Sequence, residues 1–444
     1  MRDIEGDPMA NPDQGQSYEA ELDQQRAVIN EVDATLVPLF KRRAEAALEV
    51  GKIKARHGLP VYVGAREQEV IDKACDINGE DSIMPDQDIT TLFRAVMKTS
   101  RAAQQRLTEK DDRVITGFRP TSDLTIGNYL GAVRPSLELQ KDPSKDLYIF
   151  AADVHGLTDT DPREIAAYRH EVIKDLMAFG IDPQQSTVYM QSDIEDSVVE
   201  IANRVGPYIT VNELARTPNL KEKMQTAMRK GTSETDEAGL SNFALFGYPV
   251  LMAADIYAQH AELVPVGEDQ EPHLELARSI ARRFNKNFGK GVLVEPKNLA
   301  VESLRILSLD GKGKMSKTNP NQAILLTDDP ELASRKISKA MTAGAGEWND
   351  AIESHFTVAK STAQTEEQRH ELEEIKKAHN SGQAVMKDFK TLWGSIIEQT
   401  LEDFQTAKAH INDADVLSAL RYGADRAEKN ALQTLSAMRE AMGF

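Results

Sequence analysis

Cysteine is almost absent from this chain of 444 residues, with Cys75 standing alone. A single thiol excludes an internal disulfide, and no Cys/His spacing resembles a zinc site, so a reducing cytoplasm is the expected compartment. No run of 18 apolar residues offers a membrane-spanning helix. The first seventeen residues, MRDIEGDPMANPDQGQS, are acidic without the apolar centre of a signal peptide, and read as a disordered tail. Basic charge is in short supply too. With 53 Lys+Arg against 71 Asp+Glu the formal net charge is -18, which argues against a general nucleic-acid coat but leaves room for one local basic surface. Internal repeats and low-complexity tracts are missing. What remains is an ordinary soluble balance, 40% hydrophobic and 28% charged, in a chain long enough for two or three domains.

The texture changes twice along the chain. Residues 18–110 show helical periodicity and no convincing strand, which predicts an all-helical module. From residue 111 to 345, short apolar runs (RVITGF, DLYIFAAD, STVYMQS, ELVPVG) alternate with longer helical patterns, the signature of βαβ units and a parallel sheet covered on both faces. Residues 346–444 return to helical periodicity and predict a C-terminal helical bundle.

In the first module the long initial helix is expected to bury Ile29, Val32, Leu36, Phe40, Ala47 and Val50. Arg26, Arg43 and Lys54 fall on or beside that stripe. Arg43 and Lys54 are almost three turns apart, so their side chains point the same way and can converge on one anion; snorkelling or pairing with Glu49 and Glu67 would satisfy them equally well. On a later helix the apolar face Ile89, Leu92, Phe93, Val96 runs into Ser100 and Gln104, a polar pair where packing would have placed Leu. Together LDQQRAVINEVD, LFKRRAEAALEVGKIK, HGLPVY, AREQEV and SRAAQQ resemble the all-helical chorismate mutases over residues 20–107. The resemblance implies rearrangement of chorismate to prephenate, a pericyclic reaction helped by substrate compaction and by charge at the breaking ether bond. It also implies that Arg43 and Arg66 bind the two carboxylates, with Arg26 reaching in from a partner subunit. Lys54 and Gln104 would donate to the ether oxygen, while Glu67 and Ser100 support the site. Val63 stands where the family usually places aspartate.

The α/β region carries four motifs. In RVITGFRPTSDLTIGNYLGA a strand is followed by a loop, and TIGN opens a helix, a geometry suited to phosphate. DLYIFAADVHGLTD puts Asp153 and His155 at a strand's carboxyl end. In FALFGYPVLMAADIYA, Pro249 suits the first helical position, and Asp255 shares a face with Met252 in an apolar surround. A helix cap or ion pair would explain that aspartate; a ring N–H, with Met252 packed on the flat ring, would explain it as well, and indole fits. Finally GKGKMSKTNPN sets Lys312, Lys314 and Lys317 within six positions, as a solvated turn or an anion clamp.

TIGN, YPVLMAAD, VPVGEDQ and KMSKT in one chain resemble the class I aminoacyl-tRNA synthetases, specifically the tryptophanyl type, closely over residues 113–342 and again in LRYGADRAEKNALQTLSAMREAMGF. The resemblance implies a Rossmann-type domain that activates tryptophan with ATP and Mg2+ and transfers it to tRNA. Lys314 and Lys317 would neutralise the pyrophosphate in the transition state. Thr125, Gly127, Asn128, Asp269, Gln270, Met315 and Ser316 would hold ATP, and Tyr248, Met252, Asp255, Gln270 and His155 the amino acid. Two departures are Ser122 for a usual glycine and Ala152 for a common valine, the latter admitting a substituted indole. The expectation is a bifunctional fusion acting as a homodimer. Its alternatives are a non-tRNA acceptor for the activated amino acid, or a mutase-like half that only binds and regulates. Since chorismate is a branch point toward several aromatic products, tryptophan is also expected to raise activity in the mutase half.

Overall fold

The computed structural model describes residues 12–56, 64–79, 82–105, 112–120, 123–158, 160–215, 243–267, 270–300, 304–317 and 319–444. They form two compact units, Met1–Glu109 and Lys110–Phe444. Several expectations lie outside the described residues: the tail over residues 1–11, Val63, Ser122, Asp269 and the side chain of Gln104.

The first unit contains three helices, α1 (Pro12–Arg56), α2 (Gly64–Asn78) and α3 (Asp86–Gln105). α1 begins inside the stretch read as tail and continues through Pro38. Its apolar stripe is not buried within the chain. Ile29 is 58% exposed, Val32 52% and Phe40 49%, with Leu36 and Val50 exposed as well. The reason is geometric: 45 residues of helix extend about 67 Å at 1.5 Å per residue, and two helices of 15 and 20 residues cannot cover that length. The buried apolar side chains are Ile71, Ala74 and Met97, on α2 and α3.

The second unit is built on a parallel five-stranded sheet of order β3-β2-β1-β4-β5. In chain order it runs β1 (Asp112–Phe118), α4 (Ile126–Asn128), a π turn (Tyr129–Val133), α5 (Arg134–Lys141), β2 (Lys145–Ala151), α6 (Asp153–Gly156), α7 (Pro162–Ala178), β3 (Thr187–Met190), α8 (Glu195–Val205), α9 (Val211–Ala215), α10 (Phe243–Ala258), β4 (Leu263–Val264), α11 (Glu271–Phe288) and β5 (Lys297–Asn298). Five helices follow: α12 (Pro330–Ser338), α13 (Asp350–Thr362), α14 (Glu366–Asn380), α15 (Met386–His410) and α16 (Asp413–Met442).

Both sheet faces are buried, as the near-continuous apolar strands require. Val114, Leu147 and Ile149 pack into one core, and Ile115, Tyr148 and Phe150 into the other. The order reverses at β1, with β2 and β3 on one side and β4 and β5 on the other. Chain connections therefore diverge at the carboxyl ends of β1 and β4 and leave a crevice there. Helices α13–α15 close the first core around Phe356 and Phe389, whose rings stack at 3.9 Å, and Trp393. Helix α16 lies directly on β3. A Cβ added to Gly423 would sit 1.8 Å from the Val188 carbonyl oxygen, so only glycine permits this approach. Beside it Arg426 binds both oxygens of Asp146 at 2.7 Å and Thr187 Oγ1 at 2.8 Å, and Asn430 donates to the Tyr148 hydroxyl at 2.9 Å.

Candidate active sites

In the first unit the polar residues of α1 and α3 meet. Arg43 Nη1 donates to Ser100 Oγ at 2.7 Å, and the Ser100 hydroxyl donates to the Val96 carbonyl at 3.0 Å. Arg43 and Lys54 are half-buried. Burial lowers the proton affinity of both, and the carboxylate of Glu67, on the first turn of α2, opposes that in each case. Arg43, Lys54, Glu67 and Ser100 thus share one cationic corner. Glu49 is turned elsewhere, to Lys52 at 2.7 Å. Arg26 and Arg66 are exposed and paired within their own helices, with Asp23 at 3.1 Å and Glu69 at 2.6 Å. Gln104 belongs to α3, but its side chain lies outside the described residues.

In the second unit TIGN forms a reciprocal helix cap. Thr125 Oγ1 accepts from the Asn128 backbone N–H at 3.2 Å, and Asn128 Oδ1 accepts from the Thr125 N–H at 2.9 Å. The cap turns Gly127 toward the segment carrying the lysines: a Cβ on Gly127 would lie 3.4 Å from Met315 Cβ. That segment is a tight hairpin in which Leu307 pairs with Lys314, and Met315 N–H donates to the Ile306 carbonyl at 2.9 Å. Gly311 makes its turn at φ +71°, pressed so closely on Ala351 that a Cβ would meet the alanine's at 2.6 Å. Lys314 and Ser316 are exposed, Met315 is buried and Lys317 is half-buried. Burial lowers the proton affinity of Lys317; Glu164 and Asp123 oppose the shift and Arg119 adds to it.

The polar groups around Asp255 are more deeply buried. Asp255 on α10 is only 4% exposed, and both its oxygens accept from Gln191 Nε2 at 2.8 Å. Burial pushes its carboxyl up to about 8; the Gln191 bond pulls it down and the Asp153 charge pushes it further up. Gln191 Oε1 accepts from the His155 backbone N–H at 2.8 Å. The His155 ring stands edge-on to Tyr248 with centroids 5.4 Å apart, and the Tyr248 hydroxyl is hydrogen-bonded to His273 Nε2 at 2.8 Å. Met252 is half-buried one turn before Asp255, and Gln270 occupies the N-cap position of α11 without a side-chain capping bond. Asp269 lies outside the described residues. Pro249 is inside α10 rather than at its start, since the helix already begins at Phe243.

Two family comparisons bear on this geometry. Residues 107–409 match the tRNA synthetases class I (W and Y), and residues 25–105 match chorismate mutase type II. The chain belongs to the class I tRNA synthetases (W and Y). It is a fusion, with a chorismate mutase type II domain preceding the synthetase unit. Tryptophan–tRNA ligase from Chlamydia caviae is 34% identical over 315 residues, spanning 68% of this chain and 86% of the relative. The Helicobacter pylori ligase is 33% identical over 75% of this chain and 98% of its own length. Among solved structures, tryptophanyl-tRNA synthetase from Mycoplasma pneumoniae superposes with a TM-score of 0.66 at 28% identity, covering 75% of this chain and 98% of that one. The Campylobacter jejuni enzyme, complexed with ADP and tryptophan, gives 0.62 at 27%, covering 75% and 100%.

Three partners in the synthetase unit had no sequence signal of their own. Gln191, which holds Asp255, is a lone glutamine in QSD. His273 is one polar position in an amphipathic helix. Tyr189 on β3 is a further case: it is buried, and its hydroxyl has no hydrogen-bond partner among the described residues. It lies opposite Phe150 of β2, in the core that also holds Tyr148, and its sequence context marks it only as core.

Proposed function

We propose that this protein joins two activities: ATP-dependent activation of tryptophan with transfer to tRNA, and rearrangement of chorismate to prephenate. Asp255 carries the first reading. A carboxyl group this deeply buried, with a single amide as donor, is under-compensated when charged, which is why burial raises it to about 8; the N–H of an indole would supply the missing donor and favour the carboxylate. Tyr248 and Gln270 would meet the amino and carboxyl groups, with His155 beside Tyr248. A carboxylate oxygen of the amino acid then attacks the α-phosphorus of ATP, forming the acyl–phosphate bond as the bond to pyrophosphate breaks. Thr125, Gly127 and Asn128, at a capped helix start, suit the nucleotide, with Met315 and Ser316 beside them, and the family resemblance adds Asp269 to this set. Lys314 and Lys317 stabilise the charge that grows on the departing pyrophosphate. Among the described residues no group of three or more His, Cys, Asp or Glu side chains is arranged to hold a metal. Mg2+ would come in with the phosphates of ATP, where it would help neutralise their charge.

The mutase reading is supported by Arg43, Lys54, Glu67 and Ser100 at one corner; Gln104 would complete the site, as would Arg66 on exchanging its Glu69 partner for substrate. Arg26 would come from a second copy. The exposed apolar stripe of α1 supports that homodimer, because so long a row of Ile, Val, Leu and Phe requires cover. No helix among the described residues is long and apolar enough to cross a membrane, and with one cysteine this fits a cytoplasmic location. The deciding experiment measures pyrophosphate exchange with tryptophan, tyrosine and phenylalanine, charging of tRNA, and loss of chorismate. Exchange with tryptophan but no charging would direct the adenylate to another acceptor, and unchanged chorismate would leave the first unit without its proposed activity.

A further inference from the structure

Gln191 is wholly buried where β3 passes into the tight turn Gln191–Ile194. The two ends of its amide serve two different elements. Nε2 donates to both oxygens of Asp255 on α10, and Oε1 accepts from the His155 backbone N–H on α6, all at 2.8 Å. These partners fix the amide's orientation. Turned over, it would set an oxygen against a carboxylate and an NH2 against an N–H. The next residue reinforces the junction, with Ser192 donating to Asp153 from its backbone at 3.0 Å and from its hydroxyl at 2.6 Å. The turn after β3 therefore ties the carboxyl end of β2 to the middle of α10.

This arrangement does more than fill space. A carboxylate rotates about its terminal bond unless a donor sets its plane, and a shared donor on both oxygens sets it. We infer that Gln191 is a positioning residue for recognition of the substrate's ring N–H: it holds the Asp255 carboxylate as an oriented acceptor and couples it to the turn that carries His155. The inference rests on the reading that tryptophan is the amino acid activated.

The test compares the full-length wild type, Gln191→Glu and Gln191→Leu in pyrophosphate exchange with tryptophan and with 1-methyltryptophan, whose ring nitrogen bears no hydrogen. Gln191→Glu keeps an acceptor for the His155 N–H but replaces the fixed amide donor by a second carboxyl that shares a proton with Asp255, so Asp255 is no longer held as a free acceptor. It is expected to raise KM for tryptophan by about tenfold or more, with kcat little changed and KM for 1-methyltryptophan unmoved, so that the preference for tryptophan collapses. Gln191→Leu should lose the same preference and lower kcat as well, because His155 loses its acceptor. In an Asp255→Asn background neither change should alter the preference further, which provides a second measurement if a single variant folds poorly. Folded variants that retain the wild-type preference, or that raise KM for both substrates in parallel, would overturn the inference and leave the tryptophan reading standing. A wild type that supports no exchange with tryptophan sinks both.

Discussion

Arg43 on α1 and Ser100 on α3, 57 positions apart in sequence, are joined by a 2.7 Å hydrogen bond from guanidinium to hydroxyl. Because that hydroxyl is itself committed to the Val96 carbonyl at 3.0 Å, Ser100 acts as a fixed acceptor that aims the guanidinium. A guanidinium carries five donors in a fork, so the remainder can face a carboxylate. Arg43→Ala is expected to lower kcat/KM for chorismate by at least about 100-fold and to leave tryptophan-dependent pyrophosphate exchange intact. Ser100→Ala should produce a smaller loss, of about tenfold. Equal loss of both activities in Arg43→Ala would mean global damage rather than loss of a substrate contact.

Lys317 provides the converse case. It is half-buried, feels the charges of Glu164, Asp123 and Arg119, and follows two residues after Met315, which lies against Gly127. Lys317→Ala is expected to reduce kcat for exchange by about 100-fold or more, as for other transition-state donors, with KM for tryptophan little changed and prephenate formation untouched. A change confined to KM for ATP would assign it to ground-state binding instead.

Asp255 should leave a mark on stability. Its carboxyl is raised in the folded state to about 8, well above its value in an unfolded chain. Between pH 4 and pH 8, roughly, the folded protein binds the extra proton, so this group's contribution to stability is full at low pH and is lost as pH rises through that window. The loss approaches roughly 4 kcal/mol by pH 7 if converted at 1.36 kcal/mol per unit. Asp255→Asn should therefore be more stable than wild type at pH 8 and converge with it near pH 4.5. Thermal midpoints across that range check it, and parallel curves would remove Asp255 as their cause.

His355 acts with the opposite sign. It is buried on α13, stacked on Trp393 at 4.9 Å, and burial lowers it to about 4, with Lys390 adding to the shift. Between about pH 6.5 and pH 4 the unfolded chain binds the proton that the folded one refuses, so stability falls with pH through that window. His355→Phe should flatten this limb of the profile and leave the region above pH 7 unchanged. An unaltered acid limb would place the sensitivity elsewhere.

Periodicity and strand punctuation made β1, β2 and β3 legible, because seven or so apolar residues bounded by turn residues have few other readings. β5 was not, since Lys297 and Asn298 are exposed and polar and owe their strand character to pairing with β4. The α1 stripe was legible as apolar but not as exposed: periodicity reports which face seeks cover and says nothing about what supplies it. Asp255 and the lysines stood out as polar groups in unusual company. Gln191, His273 and Tyr189 did not, because each becomes informative only once the sheet brings α10, α11 and the β3 turn together.

The contact between Gly423 and the Val188 carbonyl has a bearing on biosynthesis. Arg426 and Thr187, neighbours in the same layer, stand 239 residues apart in the chain. A ribosome adding about 5–20 residues per second takes at least ten seconds or so to make the helix that will cover β3. Throughout that interval the nascent sheet keeps one edge layer open to water and to other chains. The Arg43–Ser100 contact spans only 57 positions, so the first three helices can meet early, while β3 stays uncovered until its late helix arrives.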